Sequence, residues 1–316
     1  MMKKNNMRHK GYSNIFKPGK LTFGFMSPMV GYPDSPVPDT SKLEKIVSLA
    51  DQGGISAIWL RDVPFLDPQF GDAGQVYDPM VYGSYLAGKT NNITIGTAGI
   101  VLPLRDPLIV AKQAATLDQL SEGRFLLGLA SGDRFGEYPA FGCDFETRSE
   151  RFREARQIIK KVTEESFPQF RSEFYGSLDG TLDLIPKPIS GHIPTISIGR
   201  GGQSIEWISN NMDGWIWHGD AARNVKLRVQ QLEQAADHDS FIPYGYGQFF
   251  DLSEDRFSPL VLSNFHLSGG RDALIEFWEE QRKEGLSHII LNIKPTRRPA
   301  DELIQEFTEF IVPHFA

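Results

Sequence analysis

The feature that most constrains this chain is an alternation. Apolar runs of four to eight residues, too short for helices, are separated by stretches whose apolar residues recur at helical spacing, and the pattern repeats eight times. The spacing predicts strands at 21–26, 56–60, 93–97, 125–130, 195–198, 214–217, 260–267 and 288–293. Helices are predicted between and after them at 40–52, 78–88, 107–120, 146–165, 203–210, 221–236, 271–283 and 299–310. The best-marked unit is in the middle. Pro107 opens a helix with apolar residues at Ile109, Val110, Ala114, Leu117 and Leu120, and a turn at 121–123 feeds a buried strand at 125–130. That strand is closed by Ser131, Gly132 and Asp133. The aromatics Phe135, Tyr138 and Phe141 follow, as expected of a loop at a pocket mouth.

Each crossover must bury its helix on the sheet, and eight such units can close, so the expected fold is α/β, a (β/α)8 TIM barrel. A doubly wound open sheet is the competing architecture, but no GxGxxG opens a helix after the first strand. The 316 residues, 40% of them apolar, suit an N-terminal tail at 1–20 and a single barrel domain at 21–316, with insertions near 166–194 and 239–258. The first insertion is rich in proline and glycine and is expected to carry a hairpin around Asp179 and Gly180. The second holds an aromatic stretch, 241–257, which reads as a packed surface insertion.

A net charge of −7 with scattered basic residues argues against nucleic-acid binding. The cluster Lys3, Lys4, Arg8, His9 and Lys10 reads as a solvated tail. With no secretory core and no apolar run near the roughly 20 residues of a membrane span, a cytoplasmic protein with no membrane partner is expected. Cys143 is the only cysteine, which leaves no intrachain disulfide and no CxxC metal site, and no HExxH or GxSxG is present; no metal is expected.

In a barrel the chemistry sits at the carboxyl ends of the strands. The shortlist is Phe25, Met26 and Ser27; Trp59, Arg61 and Asp62; Ala98, Gly99 and Arg105; Ser131 and Asp133; the loop 199–204; His218 and Asp220; Asn264 and His266; Asn292 and Lys294. Gly199, Arg200, Gly201, Gly202, Gln203 and Ser204 precede a helix. Three glycines allow close backbone approach and the helix start offers free N–H groups, which suits a phosphate, although glycines there are also ordinary loop punctuation.

The SEGR turn, the strand and the GLASG loop, preceded by GTAGIVLPLRDP and followed by EYPAFG, resemble the luciferase-like monooxygenase family of flavin-dependent barrel enzymes, over residues 21–219. The resemblance implies a barrel with an insertion, reduced FMN as co-substrate or a deazaflavin coenzyme at the mouth, and a homodimer. It places the flavin phosphate at Gly201, Gly202 and Ser204, with Gly199 a further cofactor-binding candidate, a non-prolyl cis peptide at Ala98 and Gly99 under the ring, and flavin contacts at Ser131 and Gly132. Phe25, Met26, Trp59 and Trp217 are expected to line the pocket, and Arg124 to pair with Asp118 or Glu122 at the barrel base. One departure stands out. Where the luciferases carry a catalytic histidine shortly after the second strand, this chain has Arg61 and Asp62. Arg61 is then the candidate to stabilise an anion and Asp62 to orient it, or the two form an ordinary rim ion pair; His218 and His266 are candidate acids or bases. The expected function is an FMN-dependent monooxygenase acting with O2 on a small organic substrate, with reduced flavin drawn from a separate reductase. The alternatives are deazaflavin-dependent hydride transfer and a non-catalytic flavin-binding protein.

Overall fold

Eight parallel strands close on themselves in the computed structural model, which describes residues 9–30, 37, 39–70, 77–236 and 241–316. They are β1 (Thr22–Ser27), β2 (Ala57–Leu60), β3 (Thr94–Thr97), β4 (Phe125–Ala130), β5 (Thr195–Ile198), β6 (Gly214–Trp217), β7 (Tyr244–Leu252) and β8 (Leu286–Asn292). Each pairs with its successor, and β8 returns to β1 in the register Phe25↔Leu291. That last pairing excludes the open sheet. Around the barrel run α2 (Leu43–Gln52), α3 (Pro79–Ala87), α4 (Pro107–Leu120), α5 (Arg148–Glu164), α6 (Ile205–Asn211), α7 (Val225–Ala235), α8 (Arg271–Lys283) and α9 (Ala300–Glu306), preceded by α1 (Lys10–Ile15).

The period-two alternation of the strands divides the apolar residues into two cores. Outward residues meet the helices: Phe23 packs its ring 5.0 Å from Trp278 and Phe25 lies 5.3 Å from Phe307. Inward residues Ala57, Trp59, Leu126, Ile196, Ile216 and Ile290 form a second cluster with Tyr12, Ile15 and Phe16. The last three belong to α1 and its end, so the segment expected to be a tail plugs the lower end of the barrel. Tyr12, Ile15 and Phe16 recur at i, i+3 and i+4, and burying that stripe outweighs the flanking charge. The Tyr12 hydroxyl donates to the Asp213 carbonyl at 2.7 Å, and His9 is buried 3.0 Å from Asp118. Lys3, Lys4 and Arg8 lie outside the described residues.

The expected insertion near 239–258 is largely the seventh barrel strand. Tyr244, Tyr246, Phe250 and Leu252 face the helices, while Gly245 faces inward, where a Cβ would stand 2.6 Å from the His288 carbonyl oxygen. Glycines at inward positions hid the alternation. The segment expected as strand seven instead forms two short strands, Val261–Leu262 and His266–Gly269, added beside β7. The insertion at 166–194 carries the expected hairpin, Gln169–Arg171 against Ser177–Asp179, but the chain turns between these strands rather than at Asp179 and Gly180.

Arg124 pairs with neither Asp118 nor Glu122. Its guanidinium donates to Thr90 Oγ1 and to the carbonyls of Ala87, Thr90 and Ile93 at 2.8–3.0 Å, satisfying orphan acceptors at the end of α3. Asp118 is taken by His9 and by the Ile189 N–H.

Two buried histidines set a pH window for the fold. Trp59 Nε1 donates to His288 Nε2 at 2.9 Å, and Thr22 Oγ1 lies 2.7 Å from His288 Nδ1. Burial pulls the His288 pKa down to about 3, against a smaller opposing effect of Thr22. His192 is the reverse: burial opposes its charge, but hydrogen bonds to Asp213 and Glu164 win and raise its pKa to about 9. A depressed histidine stabilises the fold above its ordinary pKa of about 6.5 and loses that contribution as pH falls. A raised one stabilises below 6.5 and loses its contribution as pH rises toward 9. The unfolding temperature is therefore expected to peak near neutrality. His288→Gln should flatten the acid limb, as read by thermal unfolding across pH, and His192→Gln the alkaline limb.

Candidate active site

At the carboxyl ends of the strands lies a cavity of about 730 Å³. Its floor is made by Met26, Ala98, Ile198, Ile216 and Ile290, the upper layer of the same interior cluster that α1 closes from below. Of the four residues expected to line it, Met26 and Trp217 do. Phe25 does not, because alternation along β1 turns it outward. Trp59 does not either: its side chain points inward but is fully buried in the interior, lying across Gly24 and Gly96, where a Cβ would stand within 2.6 Å of the indole.

The wall between β3 and β4 is built by backbone. The Ala98–Gly99 peptide is cis, both residues border the cavity, and the extended chain resumes at Ile100 and Val101, which pair with Leu129 and Ala130. The approach to β4 is close. A Cβ on Gly128 would lie 1.7 Å from the Thr97 carbonyl oxygen, and one on Gly99 would lie 2.8 Å from Ile198 Cγ1.

Asp62, which itself borders the cavity, holds this wall. Its buried carboxylate accepts from Arg105 Nε at 2.8 Å and Nη2 at 2.6 Å, and from the Val101 N–H at 3.0 Å. The bidentate fork and the amide use both oxygens. Asp62 is thus a brace for the strand that carries the cis peptide, paired with Arg105 and not with Arg61. The Arg105 guanidinium is opposed by burial but held well above its usual pKa by Asp62 and Asp78. Arg61 is half-buried at the cavity edge.

Across the mouth, the loop after β5 turns through Gly199, Gly201 and Gly202, all with φ between 60° and 74°. It is pressed onto the first turns of α5: a Cβ on Gly201 would meet the Phe152 ring at 2.8 Å and one on Gly202 the Ser149 hydroxyl at 2.0 Å. Gln203 ties the two together, donating to the carbonyls of Ser149 and Gly201 while accepting from Arg153. Arg148 and Arg200 flank the loop at the cavity edge. Ser204 departs from expectation: its hydroxyl accepts the Trp207 N–H at 3.2 Å and caps α6, outside the cavity. Caps are what serines before a helix most often do.

Ser131 and Gly132 line the cavity as expected, and Tyr138 donates to the Ser131 carbonyl. His218 also lines it; burial pulls its pKa down while Asp133 and Asp220 work the other way. His266 lies on the added strand beside β7 and does not reach the cavity. Sequence reasoning passed over Arg134, Glu137, Arg148 and Gln248, which the structure brings into the wall. Glu137 sits in a 3-10 turn, Phe135–Phe141, read only as part of a motif, and Gln248 sits in the stretch taken for an insertion. Burial raises the Glu137 pKa, countered by Arg134 and reinforced by Asp62, Asp133 and Asp67. Arg134 stacks 3.9 Å over the Phe70 ring. Among the described residues no group of three or more His, Cys, Asp or Glu is placed to hold a metal ion, and no helix is long and apolar enough to cross a membrane.

An apolar floor, a backbone shelf and a glycine loop flanked by arginines suit a flat ring system carrying a phosphate, which is the class of site found in flavin-dependent barrels. The chain belongs to the luciferase-like monooxygenase family, whose model matches residues 21–245. It is 29% identical over 181 residues to an F420-dependent glucose-6-phosphate dehydrogenase of Kineococcus radiotolerans, covering 55% of this chain and 51% of that one. It is 27% identical over 241 residues to an alkanal monooxygenase beta chain of Photorhabdus luminescens, covering 76% and 69%. The chain thus spans about half the length of the first of these relatives. Among solved structures it resembles the coenzyme F420 dependent tetrahydromethanopterin reductase from Methanopyrus kandleri (TM-score 0.74, 18% identity, 94% and 100% of the two chains). It also resembles the oxygenating constituent of 3,6-diketocamphane monooxygenase from Pseudomonas putida, in complex with FMN (TM-score 0.73, 14% identity, 94% and 99%). Relatives of this oxidoreductase family thus include both F420-dependent and FMN-bound proteins.

Removing the brace should loosen the wall. Asp62→Ala leaves the Arg105 guanidinium without its main partner and the Val101 N–H without an acceptor, and is expected to cost about 3 kcal/mol in denaturant unfolding. A loss below a few tenths of a kcal/mol would mean that Asp62 does not hold this wall.

Proposed function

We propose that the protein is a flavin-dependent oxidoreductase that takes reduced FMN as co-substrate and uses O2 to oxygenate a small organic substrate. The observation that carries this reading is the opposition, across one cavity, of the Ala98–Gly99 shelf and the glycine loop packed on α5. In this reading Gly201 and Gly202 offer backbone N–H groups to the phosphate, Gly199, whose own N–H donates to the Ile216 carbonyl, starts the turn that presents them, and Arg148 and Arg200 supply the charge. Ala98 and Gly99 lie beneath the ring, and Ser131 and Gly132 contact the side chain or ring. When bound, reduced flavin supplies the electrons that oxygen activation requires.

The chain's own residues do the rest. Met26, Ile198, Ile216 and Ile290 exclude water from below. His218, kept largely uncharged by burial, accepts a proton at its imidazole, and Arg61 stabilises negative charge at the edge. A second reading, hydride transfer with a deazaflavin, is favoured by the arginines at the mouth, Arg61, Arg134, Arg148 and Arg200, which suit a longer acidic tail. A non-catalytic flavin-binding barrel stands behind both.

Reduced flavin is drawn from a separate reductase, and the setting is the cytoplasm. The working state is a homodimer formed through α3 and α4, where Val81 and Tyr85, one helical turn apart, and Ile109 present apolar side chains on the surface.

The test is a titration with FMN, riboflavin and a deazaflavin coenzyme, followed by oxygen-consumption assays of the reduced complex. FMN is expected to bind at least about tenfold more tightly than riboflavin, since the phosphate engages charge-assisted hydrogen bonds. Arg148→Ala should narrow that gap. Equal binding of FMN and riboflavin would remove the phosphate site, and preference for the deazaflavin with no oxygen uptake would select the second reading.

A further inference from the structure

Two acceptor atoms on residues of the cavity wall have no donor among the described residues. Oε1 of Glu137, which is 6% exposed, has no hydrogen-bond partner among the described residues, and neither has Oε1 of Gln248, 4% exposed. They come from different walls, Glu137 from the turn after β4 and Gln248 from β7. The Gln248 amide is held: its Nε2 donates to the Ser263 carbonyl at 3.2 Å, which leaves Oε1 facing elsewhere. The same cavity carries the apolar Ile216, Ile290 and Phe249, while Arg134, Asp62 and Asp133 lie close enough to Glu137 to act on its charge. Burying an acceptor without a donor costs about 1–3 kcal/mol, so a pair of them is a standing loss of stability unless a bound molecule donates to them.

We propose that Glu137 and Gln248 are substrate-recognition groups, and that the substrate is an apolar frame carrying hydroxyl groups at two separated positions rather than a plain hydrocarbon aldehyde or ketone. The inference rests on the reading of this cavity as the flavin and substrate site. A hydroxyl suits Glu137 in either protonation state, donating to a carboxylate or accepting from a carboxylic acid. A site with two such acceptors rejects the analogue that lacks the hydroxyls, because binding it leaves both acceptors buried and unpaired.

The matched probes are 1,4-benzenedimethanol, with two hydroxyls, and p-xylene, the same skeleton with none. Binding to the FMN-loaded full chain is followed by quenching of indole fluorescence and by saturation-transfer NMR. The diol is expected to bind at least about tenfold more tightly than p-xylene, and Glu137→Met and Gln248→Met are each expected to reduce that preference. Equal or tighter binding of p-xylene, or no binding of the diol, overturns the proposal. The ligand-free protein gives a separate reading. If these acceptors serve a ligand, the apolar replacements should leave the unfolding temperature unchanged or raise it, whereas a fall in both variants would make the groups structural and end the proposal. FMN affinity should be unmoved in both; its loss would assign the donors to the flavin's own hydroxyls and overturn the proposal as well. Should FMN fail to bind wild type, the cofactor reading falls by itself, while the diol preference and unfolding temperatures of the unloaded chain still judge Glu137 and Gln248.

Discussion

The site depends on a contact between two stretches of backbone. Where β3 ends, the Thr97 carbonyl approaches Gly128 on β4 so closely that a methyl group there would overlap it, and the Thr97 hydroxyl donates to the Gly128 carbonyl at 2.8 Å. No side chain larger than hydrogen fits at that point. Because the strands meet here, the chain after Thr97 can cross the barrel mouth through the Ala98–Gly99 peptide and rejoin β4 at Ile100 and Val101. The Asp62–Arg105 pair fixes the rejoined segment from behind, and Gly132, packed against Val101, fixes it from above. A flat backbone surface in the cavity is the product of three glycines and one buried carboxylate.

Below that surface, the barrel interior is filled in layers. Trp59 spans the space that Gly24 and Gly96 leave and bonds to His288, while Tyr12, Ile15 and Phe16 close the end. The cavity floor is the top of the same cluster. Packing at the base of the barrel therefore bears on the shape of the site, since close-packed interiors transmit volume changes rather than absorb them. The outer core, where Phe23, Trp278 and Phe307 meet, is separate from it and holds the helices in place.

Much of this was legible from residues alone. The eightfold alternation gave the barrel, and short apolar runs marked seven of the eight strands. The eighth, β7, was hidden because Gly245 and Gly247 stand at its inward positions, so the period-two signal survived only in its outward residues. The plug α1 was hidden by its charged neighbours, although Tyr12, Ile15 and Phe16 already showed helical spacing. At the site, the glycine loop could be placed from its three glycines, whereas the cis peptide at Ala98–Gly99 was legible only through the family resemblance. Side-chain partnerships could not: that Asp62 would choose Arg105, 43 residues on, over its neighbour Arg61 is decided by tertiary geometry. Ser204 and Trp59 were misplaced for related reasons, one absorbed by a helix end and the other by a gap between glycines.

With α1 closing its base, the barrel has the form of a cup. Among the described residues the mouth of the cup is bordered by Arg148, Arg200 and the turn that carries Glu137. Two molecules that share such a space cannot exchange independently when one lies across the floor and the other above it. The lower one must arrive first and depart last. If two molecules share the cavity, as in the reading proposed above, the plug at the foot of the barrel orders their exchange at its rim.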